Sequence, residues 1–129
     1  MENKDYTVEI LEIIRSNTSP GIMRSRLEDY HANDLAEVFP QLKVSERRKI
    51  CRILDLDMLS DIFEHIDEQE AAEYLDEMDI KKAAAILSAM ETDAVVDVLQ
   101  MIPKEKKNLL IELMDDDARK DMAIIASFD

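Results

Sequence analysis

Asp93 and Asp97 lie four residues apart, so on a helix both carboxylates project from one face. Like charges at that spacing cost about a few tenths of a kcal/mol. A hard divalent cation taking oxygen ligands would offset that repulsion. Glu37, Asp61, Glu73, Asp97 and Asp121 fall at one recurring position of the chain, spaced in multiples of twelve. If successive helices alternate in direction, Glu73, Asp97 and Asp121 form a row on one side. The competing reading of all these acids is an ordinary solvated face, in a chain with 30 acids, 16 bases and a net charge of −14.

Other chemistry is poorly supplied. Gly21 is the one glycine, so a phosphate-cradling loop and a dinucleotide fingerprint are both excluded. Asp55-Leu56-Asp57 lacks the central glycine and alternating ligands of a calcium loop. His31 and His65 have no histidine or cysteine neighbour at ligand spacing. His31 precedes a helix and suits a capping or surface role; His65 is expected on the surface. No nucleophile stands beside a base, so the chain is read as a non-enzyme. Net negative charge disfavours nucleic acid and anionic membrane. A lone cysteine, Cys51, permits no internal disulfide and reads as a packed core thiol in a cytoplasmic setting. No signal-like or spanning apolar stretch is present.

The elements that position the acids come from a twelve-residue repeat with eight copies, from His31 to Ala126. Copies start at His31, Lys43, Asp55, Asp67, Asp79, Glu91, Pro103 and Asp115. Slots eight, nine and twelve are apolar in every copy. With slot five they give the i, i+3, i+4, i+7 stripe of an amphipathic helix. Met78, Met90, Met114 and Met122 occupy such slots, which makes them core filler rather than a soft metal site. Twelve residues allow a helix of about nine residues and a tight connection. Helices so short persist by stacking on neighbours. Caps are expected in slots one and three, with Asn33, Ser45, Asp57 and Asp93 in the third. Arg47, Lys107 and Arg119 replace apolar residues in slot five, which predicts narrower buried faces for those helices. Pro40 should end or distort its helix early. Ahead of the repeats, Tyr6 to Ile14 reads as a longer amphipathic helix. Ser16 to Gly21 reads as a turn, and Ile22 to Tyr30 as a short helix. The expected fold is therefore all-α, with about ten short helices. Residues 1–21 form an N-terminal helix and turn, and residues 22–129 the repeat domain, as one globular unit.

These repeats resemble the cytosolic N-terminal domain of the MgtE family of magnesium transporters and channels, over about residues 22–129. The opening family motif is matched by His31, Ala32, Asn33, Asp34, Leu35 and Ala36, without its proline. Leu59-Ser60-Asp61-Ile62-Phe63, Ala72-Glu73-Tyr74-Leu75 and Asp93-Ala94-Val95-Val96-Asp97-Val98-Leu99 match its repeats. The resemblance implies a right-handed superhelix (solenoid) and a regulatory, magnesium-sensing role. It implies that Mg2+ between acidic surfaces holds this domain against a CBS domain pair, closing a membrane pore. Asp61 and Asp93 stand where the family places interface acids, and Asp97 joins them as a third candidate metal residue. Asp61 is shorter than the family's usual glutamate, and a water-bridged contact would serve there. The alternative is a protein-interaction scaffold resembling the middle domain of the flagellar motor switch protein.

Overall fold

The computed structural model describes residues 5–126, with side chains to residue 123. Among the described residues the regular structure is all helical. The helices are α1 Thr7–Ile14, α2 Pro20–Leu27, α3 Ala32–Val38, α4 Val44–Ile53, α5 Leu56–Glu64, α6 Glu68–Asp76, α7 Ile80–Ala89, α8 Thr92–Leu99, α9 Lys104–Leu113 and α10 Asp116–Ala126. From α3 onward one helix falls in each repeat copy.

The first slot, not the third, is the N-cap. Asp55 accepts from the Met58 N–H at 2.9 Å, Asp67 from Gln69 at 3.2 Å and Asp79 from Lys81 at 3.0 Å. Each such cap satisfies a donor that the helix cannot, worth about 1 kcal/mol. Asp57 and Asp93 instead sit inside the first helical turn. There a carboxylate gains from the helix dipole without closing a cap. Lys43 caps α4 by position, and its N–H donates to the Glu46 carboxylate at 2.8 Å, half of a capping box. His31 holds the cap position of α3 without a side-chain hydrogen bond.

Pro40 acts as its chemistry requires. α3 stops at Val38 and a short 3-10 turn spans Phe39–Gln41. The Arg47 guanidinium donates to the Phe39 carbonyl at 3.1 Å and the Leu42 carbonyl at 2.5 Å, satisfying acceptors around that turn. The turn expected over residues 16–21 is shorter than the sequence suggests. Ser19 caps α2, so Pro20 and Gly21 are already helical, with Pro20 in the first turn where its missing N–H costs nothing. α1 has eight residues and is no longer than its neighbours.

The chain divides into two compact units, Met1–Ile66 and Asp67–Asp129. In the first, α3 packs against both α1 and α5, and α2 packs against α4. Ile10, Met23, Leu27, Leu59 and Ile62 are fully buried there. Phe39 and Phe63 meet edge to face, with ring centroids 5.7 Å apart. In the second, α8 packs against both α6 and α10, and α7 packs against α9. Ala71, Ala83, Ile86, Leu87 and Leu110 are fully buried there. Within each unit, helices two apart are thus neighbours, as expected of alternating directions.

Slot eight is buried in all eight copies, from Val38 to Met122. Slot nine is buried from Phe39 to Leu99 but opens at Ile111 and Ala123. The predicted narrow faces are present in α4 and α9, while that of the helix carrying Arg119 lies partly outside the described side chains. α4 buries Ile50 and Cys51, and α9 buries Leu110 alone. Ala126 of slot twelve lies outside the described side chains. No helix among the described residues is long and apolar enough to cross a membrane.

Candidate functional site

Asp61 occupies slot seven of α5, one position before the buried Ile62, and its side chain is exposed. One turn later His65 ends the helix, and its Nδ1 lies 2.8 Å from the Asp61 carbonyl oxygen. A carbonyl can only accept, so Nδ1 carries the proton. The i, i+4 spacing of Asp61 and His65 was the available sequence signal for this juxtaposition. It was obscured because His65 has no other histidine or cysteine nearby.

In the second unit Asp93 and Asp97 project from α8, and both are exposed. Asp93 lies in the first turn, where the partial positive charge of the helix N-terminus favours its carboxylate. Asp97 follows one turn on. Among the described residues no ion pair engages Asp61, Asp93 or Asp97.

The row of Glu73, Asp97 and Asp121 is realised only in part. α6, α8 and α10 are successive neighbours, and all three acids are exposed. Yet no three carboxylate, histidine or cysteine groups among the described residues converge on one point. Slot seven fixes a face, but adjacent helix axes stand about 8–10 Å apart, too far for neighbouring carboxylates to share a small ion without help. Glu73 lies instead beside a cavity of about 250 Å³, where Asp76 forms an ion pair with Lys106. Asp121 lines a second cavity, of about 160 Å³, with Asp115 and Asp117. The Ser88 hydroxyl there accepts from the Asp115 N–H at 3.0 Å, which ties it to the start of α10.

A magnesium ion can be tested against this donor set. It takes six oxygens at short range, and commonly one or two are carboxylates while the rest are water. Exposed aspartates without ion-pair partners among the described residues fit that outer role. They would supply only part of a coordination shell, and an opposing surface would have to supply the rest. An imidazole such as that of His65 is a poor ligand for so hard an ion.

Comparison with curated proteins finds no match. Solved structures similar over nearly the whole chain include two of related function. One is the soluble part of a magnesium transporter, with a TM-score of 0.85 and 25% identity, covering 95% of this chain and 48% of that one. The other is the cytosolic domain of the Mg2+ channel MgtE in complex with ATP, with a TM-score of 0.77 and 25% identity, covering 91% of this chain and 48% of that one. This chain therefore spans about half the length of the structures it matches. The family model of the MgtE intracellular N domain matches residues 30–129. Residues, repeat and fold agree on one conclusion: the chain belongs to the MgtE intracellular N domain family.

Proposed function

We propose that this chain is the intracellular magnesium-sensing module of a magnesium transporter, acting by binding rather than catalysis. It closes on a CBS domain pair when magnesium is high and withdraws when magnesium falls. The observation that carries this reading is the set of exposed, unpaired carboxylates Asp61, Asp93 and Asp97 on a family member of net charge −14.

The physics is a change of sign. Two acidic surfaces repel across roughly one Debye length, about 8 Å in physiological salt. Partly hydrated Mg2+ in the gap shares carboxylates from both sides and turns repulsion into attraction. The ion favours the closed arrangement because only there does it meet both half-sites. Asp93 and Asp97 supply one half-site, and Asp61 a separate one, through water where its short side chain falls back from the ion. The membrane pore of the parent transporter then follows the position of this module at the inner face.

The test uses a full-length transporter carrying this domain. Asp61→Ala together with Asp93→Ala should reduce magnesium-dependent protection of the domain from protease. The double variant should need a higher magnesium concentration for half-protection. Protection identical to wild type at every concentration would remove both residues from the mechanism.

A further inference from the structure

The last described helices of the second unit, α8 to α10, carry an observation independent of the acidic face. Ala83, Leu87, Val95 and Leu99 are buried, and α9 belongs to the packing that covers this part of the stack. Their equivalents two copies later are Lys107, Ile111, Arg119 and Ala123, which are half-buried or exposed. α8, α9 and α10 leave a groove of about 390 Å³ around these residues, with Leu99 and Met122 at its apolar floor.

Two features define what fits. The repeat gives the shape: at the inner equivalent the neighbouring element is a short amphipathic helix, α9, which buries Leu110 completely and pairs Lys106 with Asp76 of α6. The cations give the charge. Lys107 and Arg119 stand where inner copies place Ala83 and Val95, and among the described residues lining the groove there is no carboxylate. Arg119 pairs within its own helix with Asp116, whose side chain is 77% exposed, so that pair is readily exchanged. A basic, apolar-floored groove is an exception on a chain with nearly twice as many acids as bases.

We propose that this groove is a docking site for an acidic amphipathic helix of a partner polypeptide. The helix lays leucine-like side chains over Leu99, Ile111 and Met122, in the manner of a helix-in-groove contact. Its carboxylates meet Lys107 and Arg119. The occupant packs on α9 and α10 as α9 packs on α7.

The test titrates the intact chain into two labelled synthetic helical peptides with identical leucine faces, one flanked by glutamates and one by lysines. Fluorescence anisotropy should show the glutamate peptide binding about tenfold more tightly, a difference that shrinks as salt rises. Lys107→Glu with Arg119→Glu should invert the preference. If that variant loses helical circular dichroism, Lys107→Gln with Arg119→Gln should abolish the preference instead. Equal binding of both peptides, no binding of the glutamate peptide, or a preference untouched by these substitutions overturns the proposal. Light scattering of the chain alone distinguishes another occupant. A concentration-dependent dimer lost in the charge-reversed variant assigns the groove to a second copy and overturns the acidic-helix assignment.

Discussion

Magnesium should barely stabilise this chain in isolation. The perturbation is 5 mM MgCl2, compared with NaCl at matched ionic strength so that screening of the net charge of −14 is common to both. The magnitude follows from the geometry. No three potential ligands converge among the described residues, and Asp93 with Asp97 offers at most a two-carboxylate half-site. A half-site with a dissociation constant of about 10 mM gives RT ln(1.5), or about 0.2 kcal/mol, at 5 mM ion. For a chain of this size that moves the thermal midpoint by about 1 °C. A complete site with a constant of about 0.1 mM would give about 2.3 kcal/mol and a shift approaching about 10 °C. Circular dichroism melts over a magnesium series read the difference directly. A saturable shift of several degrees, specific to magnesium over ionic-strength-matched sodium, would refute the half-site argument. It would also show that the chain binds the ion without a partner surface.

Two further predictions concern the scaffold. Asp55→Ala should destabilise the first unit by about 1 kcal/mol by removing the α5 cap, whereas Asp55→Asn should cost much less because asparagine caps equally well. Equal losses in urea melts would mean that the exposed contact of Asp55 with Arg24, and not the cap, matters. Glu46 should give the stability a pH-dependent component. The Arg15 guanidinium at 2.9 Å, and then the Lys43 N–H, hold its carboxyl below the usual glutamate value. Its contribution is fully present above the ordinary glutamate pKa and is lost as pH falls through the lowered folded value. The difference in thermal midpoint between wild type and Glu46→Gln should therefore narrow between neutral and acid pH, and a difference independent of pH would contradict it.

Period and face were readable because apolar burial is a property of each residue's slot. Val38 through Met122 in slot eight needed nothing beyond the spacing. Caps were harder. Asp55 in slot one and Asp57 in slot three both suit a helix start, one by hydrogen bonding to orphan amides and the other through the dipole, so composition alone cannot separate them. Ile111 and Ala123 look like core residues in sequence because slot nine is core in six other copies. They are not buried because no described helix covers them. Pro20 and Gly21 read as turn formers, yet both are compatible with a first helical turn once Ser19 caps it. The candidate site was legible as a face but not as a constellation. Slot seven places Glu73, Asp97 and Asp121 on successive neighbours, while convergence depends on interaxial distances that a repeat does not encode. Lys106, which pairs with Asp76 beside Glu73, was invisible for the same reason.

Dispersed acids suit a sensor better than one tight site would. Moving a two-state equilibrium from 1:99 to 99:1 requires about 5.5 kcal/mol of differential binding. One ion held by the closed state with a constant of about 1 mM supplies about 1 kcal/mol at 5 mM. A complete switch at millimolar magnesium therefore needs about five such ions, or a partial switch with fewer. A single site tight enough to do the same work would stay filled as magnesium fell and would not report the change. On the proposed sensing role, exposed carboxylates spread over α3, α5, α6, α8 and α10, none converging with two others, would act as many weak half-sites. Removing one aspartate should then shift the midpoint and lower the steepness of closure together. Losing Asp93 and Asp97 at once should lower the steepness further than either single change.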